Sequence, residues 1–374
     1  MTGQLDMIPI FSPKFGPRER EYLLDCIDSA WISSQGKYVG AFERAFAERT
    51  GMPHGVACSN CTTAIHLAVA ALGIGPGDEV ICPDLTFISP ANMVKLTGAT
   101  VVLADVNPVD WGLSAQSVAE RITPRTRAII VVHAFGHAAD MDPLIALAKR
   151  NNLAIIEDVA EAPGGRYKGR QVGTFGDANC YSFYGNKIIT TGEGGIILCR
   201  DPALDKQIRI LRDHGMSAER RYVHEVAGFN YRLTNMQAAI GMAQLERLDQ
   251  ILAMRAQQEN TYRELFGNSV RAVWRPVEPW CENVHWLSTI TLRRRELRDP
   301  LLAYLKSVGI EGRSMIYPVH RATHFMACGD DTHFPMTTDI SLRSLHLPSG
   351  FDLTRSEMAR VSETVLSWLA KHDA

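Results

Sequence analysis

The sequence has no apolar run near the roughly 18 residues that a bilayer crossing needs. Its opening stretch, MTGQLDMIPIF, also lacks the charged-then-apolar pattern of an export signal, so a cytoplasmic protein is expected. Cysteine is sparse, 8 in 374 residues, too few for a disulfide scaffold in so long a chain. Neither sign of charge dominates: 39 Lys+Arg against 41 Asp+Glu leave a net charge of −2, without the basic excess of a nucleic-acid binder. The absence of repeats, low-complexity tracts and charge blocks excludes collagen, coiled-coil and disordered architectures. What is present is 46% hydrophobic and 21% charged residues, enough for a sizeable core. At one domain per ~150 residues, two domains are expected.

The first ~250 residues alternate two kinds of segment. The runs DEVICP (78–83), ATVVLAD (99–105), RAIIVVH (127–133) and LAIIED (153–158) read as buried strands. TTAIHLAVAAL (62–72) and MDPLIALAKRNN (141–152) carry helical spacing, and helices over 17–32 and 37–51 precede the first strand. Such alternation predicts an α/β fold: a mostly parallel central sheet with helices on both faces. The stretch 234–266 has helical spacing throughout and exceeds the usual globular length, as a connection between two bodies would. Beyond it come a strand-like piece (284–293), a helix (298–309), a loop rich in Pro, His and Gly (317–336) and a last helix (354–370), the pattern of a smaller α+β domain. The expected division is 1–250 and 251–374.

The chemistry concentrates in Tyr181-Ser182-Phe183-Tyr184-Gly185-Asn186-Lys187, followed by IITTGEGG (188–195). A lone lysine is most often a solvated surface group. Here it has company. LAIIED ends in Asp158, and the carboxyl ends of strands in an open α/β sheet are where ligands sit. Cys58-Ser59-Asn60-Cys61-Thr62-Thr63 stands just before a helix, where it reads as ordinary capping or, through free N–H groups and the helix dipole, as a phosphate seat. A phosphate seat, a strand-end acid and an isolated lysine together suit pyridoxal 5'-phosphate: anchor, partner for the pyridine nitrogen, covalent attachment. Other patterns are weaker. Cys58-x-x-Cys61 could be a redox pair, but it uses the positions of the phosphate seat. His133 and His137 have metal-like spacing, yet His133 closes a strand, and no metal site is expected. Gly73-x-Gly75-x-Gly77 precedes a strand rather than a helix and reads as a turn.

The order of these elements resembles the sugar-nucleotide aminotransferases of pyridoxal-phosphate fold type I. WISSQGKYVGAFE, GIGPGDEVICPDLTF, TPRTRAIIVVH, SFYGNKIITTGEGG and GFNYRLTNMQAAIGMAQLERLD carry the likeness across nearly the whole chain. The resemblance implies that Lys187 holds the cofactor as a Schiff base and Asp158 holds the pyridinium N–H. It places Glu161 near the ring hydroxyl, Phe87 against the ring face, and Cys61, Thr62 and Ser182 at the phosphate. It implies that Asn230 completes the phosphate seat of a partner subunit, so that a homodimer shares its active sites. His137, Tyr317 and His320 are then expected at the sugar, with the 317–336 loop above it. The sequence departs from the family at Cys61, where Gly is usual, at His137, where Gln is common, and at Pro163, where a small apolar residue is usual.

The activity so implied is transfer of the amino group of L-glutamate to a keto nucleotide sugar, foremost GDP-4-keto-6-deoxymannose, for surface polysaccharide. Pyridoxamine phosphate is the intermediate form of the cofactor. Alternatives are another acceptor (dTDP or UDP carrier, C3 or C4 amination) or a cofactor-binding regulator. A deoxygenase of the same fold would carry His at position 187. Neither nucleic acid nor membrane is an expected partner.

Overall fold

The computed structural model describes residues 7–373; of the N-terminal stretch read for a leader, residues 1–6 lie outside it. Among the described residues no helix is long and apolar enough to cross a membrane. The apolar strands assemble as the alternation predicts. Strands β1 (His54–Cys58), β2 (Glu79–Pro83), β3 (Thr100–Ala104), β4 (Thr126–Val132) and β5 (Ala154–Asp158) join two later ones. A small sheet is built from β6 (Arg166–Tyr167), β7 (Arg170–Gln171) and β11 (Cys281–Glu282). With β8 (Ala178–Ser182) and β9 (Gly195–Cys199), the central sheet has seven strands in the order β1-β9-β8-β5-β4-β2-β3. The run from β8 to β3 is parallel, and β9 alone is antiparallel to both its neighbours. In β4, Ile129 and Val131 enter one core, while Ala128, Ile130 and Val132 enter the other. The two-residue period thus puts apolar cores on both faces of the sheet.

Register places the motifs side by side. Cys58 pairs with Gly195, Gly195 with Ser182, and Cys180 with Asp158. The carboxyl ends of β1, β8 and β5 therefore meet at one edge, with the start of β9 between the first two. Gly195 must be bare: a Cβ there would lie 2.6 Å from the carbonyl carbon of Asn60 and 2.8 Å from the nitrogen of Cys61. The Gly-rich turn after Lys187 is thus the surface on which the 58–63 loop rests. Glu157, the residue before Asp158, points to the opposite face. It accepts the N–H groups of Gly173, Phe175 and Gly176 and meets His133 Nε2 at 2.8 Å, which fixes the loop that enters β8.

Three expectations change. The first helix stops at Asp28, short of 32, and Ala30 follows at φ 60°. The stretch 234–266 is two helices, Asn235–Glu246 and Leu248–Phe266, broken at Arg247 (φ −109°, ψ 6°), whose guanidinium reaches Glu19 at 3.1 Å. Helical spacing continues across the break, so periodicity alone does not reveal it. Within 284–293 only β12 (Thr289–Leu292) pairs as a strand of the second large sheet; before it, Trp286 and Leu287 line the cavity described below.

The second large sheet is antiparallel, with β12 between β10 (Ala272–Trp274) and β14 (Ser344–His346), and β13 (Arg313–Ser314) beyond. Its core joins Tyr262, Leu301, Leu305, Val361 and Val365 with Ile8. The Ile8 N–H donates to Gly309 O (3.0 Å), and the Glu311 N–H to Ile8 O (2.9 Å). This N-terminal segment therefore packs with the C-terminal body, which the boundary at 250 does not capture.

Candidate active site

The strand ends of the central sheet and the inner edge of β13 enclose a cavity of about 860 Å³. Lys187, Asp158, Glu161, Cys61, Thr62, Phe87, Ser182 and Tyr317 all line it. Residues up to 256 positions apart in the chain (61 and 317) converge on one space. Lys187 is mostly covered, its side chain 12% exposed, and its Nζ lies 3.4 Å from Glu161 Oε1. Glu161 Oε2 in turn accepts the Phe135 N–H at 2.7 Å, so both oxygens of this buried carboxylate are engaged. Phe135 sits at φ 53°, where a side chain is strained, and that turn is what aims its N–H into the site.

Asp158 is buried at the end of β5, and burial pushes its carboxyl up to about 6, with the negative charge of Glu161 adding to the shift. The Ala160 N–H, donating to Oδ1 at 3.0 Å, and the nearby Lys187 act in the opposite direction. Such a carboxylate has little to stabilise it in this chain alone and is suited to a cationic N–H partner. Cys61, where the resemblance anticipates Gly, directs its sulfur inward to 3.9 Å from Asp158 Oδ1 rather than across the mouth of the loop. Burial raises the thiols of Cys58 (to about 12) and Cys61. A redox pair needs the reverse shift.

The helix Cys61–Ala71 turns its N-terminus to the cavity. The side chain of its N-cap, Asn60, accepts only the Thr63 N–H, and the N–H groups of Cys61 and Thr62 have no acceptor among the described residues. Two further polar atoms that sequence reading missed share this cavity. Thr86 Oγ1 and Asn186 Oδ1 are buried, line the same cavity and have no hydrogen-bond partner among the described residues. Both lie beside residues already singled out, Phe87 and Lys187, and that adjacency was the available signal. An orphaned hydroxyl stabilises nothing until a ligand meets it. Thr86→Val should therefore leave the ligand-free protein as stable as before or raise its stability by ~1 kcal/mol, read from thermal unfolding, while weakening binding of an anionic ligand. A clear drop in the melting temperature of the ligand-free variant would contradict this.

Three sequence-derived assignments lie outside the cavity. His137 is fully buried, with Nδ1 donating to Ala138 O (2.7 Å) and Nε2 accepting the Glu278 N–H (3.1 Å). Burial, assisted by Arg275, pushes its pKa down to about 3. It is a neutral core group, not a sugar contact. His320 is 2% exposed and has both nitrogens occupied, by Asp84 Oδ2 at 2.6 Å and Asp331 Oδ1 at 3.0 Å. Its backbone N–H also donates to Asp84 Oδ1 at 2.7 Å. His320 therefore pins the loop that holds Tyr317 over the cavity, instead of facing a ligand itself. Asn230 is exposed and accepts from Arg232 Nε at 3.0 Å, away from this chain's own cavity. Conversely, Trp286 and Arg313 line the cavity although no motif marked them. Apart from Lys187, Arg313 is the one Lys or Arg side chain among the lining residues.

The chain matches the DegT/DnrJ/EryC1/StrS aminotransferase family over residues 13–366. It is 43% identical over 362 residues to a GDP-perosamine synthase of Caulobacter vibrioides, covering 96% of this chain and 97% of that one. It is 34% identical over 364 residues to EpsN of Bacillus subtilis (strain 168), provisionally named a pyridoxal phosphate-dependent aminotransferase, covering 95% and 94% of the two chains. Among solved structures, DesV of S. venezuelae, determined with a ketimine intermediate, superposes with a TM-score of 0.88 at 34% identity over 94% of each chain.

Proposed function

The chain belongs to the DegT/DnrJ/EryC1/StrS aminotransferase family, and on that premise we propose that it transfers the amino group of L-glutamate to GDP-4-keto-6-deoxymannose, giving GDP-perosamine. The cofactor is pyridoxal phosphate. The residues suit it: a mostly covered amine and a buried carboxylate share one cavity with an unsatisfied hydroxyl and two free helix N–H groups. The observation that carries the reading is Lys187, a shielded lysine on the same cavity as the strand-end acid Asp158. Bound there, pyridoxal phosphate supplies a carbonyl for the amine and an electron-withdrawing ring that makes the donor's Cα proton labile.

In this reading Lys187 Nζ would hold the cofactor and, when free of it, would take the donor's Cα proton and later return it. Asp158 keeps the ring nitrogen protonated. Glu161 orients Nζ through Oε1 while the Phe135 N–H holds its other oxygen. Cys61, Thr62, Ser182 and the Thr86 hydroxyl would hold the phosphate, and Phe87 would cover the ring face. The body built mainly from 1–250 would bind the cofactor and that of 251–374, with the segment around Ile8 packed on it, would lie over the sugar, with the enzyme acting in the cytoplasm. Incubating the pyridoxamine-phosphate form with GDP-, dTDP- and UDP-linked keto sugars tests the acceptor. Return of the visible chromophore is expected with the GDP sugar. Its return with only a dTDP or UDP sugar would reassign the substrate.

We place Asn230 in the partner's phosphate seat, in a homodimer. Its exposure and its absence from this chain's cavity fit that role. So do the exposed apolar side chains Leu24, Ile27 and Trp31 on one segment and Tyr222 and Val226 on another. Inactive Lys187→Ala and Asn230→Ala proteins, unfolded and refolded together, should recover about a quarter of wild-type activity, because half the dimers then carry one intact site. No recovery would place each site within a single chain.

A further inference from the structure

We propose that Trp286 is a positioning residue that holds the free Lys187 side chain, as the ammonium, whenever the lysine is not attached to the cofactor. The proposal rests on Lys187 being the reactive lysine. The contacts around the lysine form a closed circuit. Lys187 Nζ stands 3.8 Å from the centroid of the Trp286 indole and 3.4 Å from Glu161 Oε1. Glu161 is held by the Phe135 N–H, and the Phe135 ring lies nearly parallel to the indole (15°), with centroids 6.4 Å apart. The indole Nε1–H donates at 2.7 Å to the carbonyl of Asn186, the residue before the lysine. One side chain therefore grips both the tip of Lys187 and the backbone that carries it.

The tryptophan is itself anchored from behind. Its carbonyl is taken by Arg255 Nη2 and that of His285 by Arg255 Nε (3.2 Å), from the helix Leu248–Phe266. Arg255 is buried and also bonds Ser349 O, so the segment cannot drift without stripping a buried guanidinium of its acceptors. A π face attracts an ammonium, most strongly where water is excluded, and does little for a neutral amine. During turnover the lysine must stay close while detached and carry one proton, which Nζ accepts from carbon and later gives back to carbon. Glu161 on one side and the indole on the other form a bay for that ammonium.

The test uses the cofactor-free protein. Reductive methylation of Lys187 by formaldehyde and cyanoborohydride, read peptide by peptide by mass spectrometry, reports how well the amine is held, because only free amine reacts. Trp286→Leu and Trp286→Met, which fill the space without a π face, should methylate Lys187 about tenfold faster than wild type. Trp286→Phe keeps a face and should stay within about threefold, with Lys95 and Lys168 as unchanged references. In the loaded enzyme the Leu and Met variants should lose kcat about tenfold with KM for the donor nearly constant, and Phe should restore most of it. Equal Lys187 methylation in wild type and in whichever of the Leu and Met variants keeps the native circular dichroism overturns the proposal. Because methylation needs neither cofactor nor sugar, that failure is separate from a wrong acceptor. It is separate also from a wrong lysine, which would show as no borohydride-fixed cofactor on residue 187.

Discussion

Lys187→Ala should leave a folded protein that binds pyridoxal phosphate reversibly, carries no borohydride-fixable cofactor mass on the 181–195 peptide, and turns over at least ~10³-fold more slowly. The magnitude follows from the lysine doing two jobs. It is the covalent anchor and, in the proposed reaction, the group that moves the proton, and the lining histidine, His346, is a weak base because burial pushes its pKa down to about 3. Arg313 is the other strong cation among the lining residues, but a guanidinium stays protonated and is a poor proton acceptor. The carboxylate that meets the amine, Glu161, also takes the Phe135 N–H, and Asp158 is assigned to the ring nitrogen. Lys187→Arg separates charge from chemistry, because it keeps the cation beside Glu161 and should be as inactive as Lys187→Ala. A small primary amine added to Lys187→Ala should restore part of the rate, since it can accept the proton even though it anchors nothing. Wild-type turnover by either variant would remove Lys187 from the reaction.

The parts of this site that were legible in sequence are those fixed by strand order. Asp158 closes an apolar run, Ser182 and Lys187 follow another, and in a parallel sheet such ends share an edge whatever the details. Side-chain direction was not legible. His137 and His320 have the right chemistry for a sugar pocket and stand in the right loops, yet both turn inward. His137 follows a turn in which Phe135 and Gly136 both have positive φ, which carries its ring away from the cavity. His320 is captured by Asp84, 236 residues distant. Trp286 was hidden for a related reason. It sits in a segment with strand-like alternation, of which only Thr289–Leu292 pairs, while the part that carries the indole is held by Arg255 from a helix. The break at Arg247 is of the same kind, since a turn fixed by a distant contact to Glu19 leaves no trace in hydrophobic spacing. Local pattern fixed the elements; contacts across hundreds of residues fixed which way the functional groups face.

Asp158→Asn should have opposite effects on the protein with and without cofactor, and that reversal is the sharpest expression of what the site is built to do. In the cofactor-free chain the carboxyl is pushed up from 3.8 to about 6, chiefly by burial. An acid with a raised folded-state pKa binds its proton more tightly when folded than when unfolded. Its cost to stability is therefore absent below pH ~4, grows as pH rises through the window from ~4 to ~6, and is complete above that, at ~3 kcal/mol as an upper figure. Asparagine keeps the shape and removes the charge. The cofactor-free variant should melt higher than wild type at pH 7.5, with the difference closing at pH 4. Loaded with pyridoxal phosphate, the ranking should invert, because the wild-type carboxylate then has a cationic N–H to satisfy it and the amide can offer only a neutral acceptor. Activity should fall ~10²–10⁴-fold, since a ring nitrogen left unprotonated cannot absorb the charge that develops when the proton leaves carbon. A variant less stable than wild type in both states would mean that Asp158 serves the fold, with its carboxylate already satisfied inside the chain. The burial of an acid beside little more than one backbone N–H, at the end of the strand where the lysine, the free helix N–H groups and the orphaned Thr86 hydroxyl converge, argues for a ligand that brings the missing positive charge.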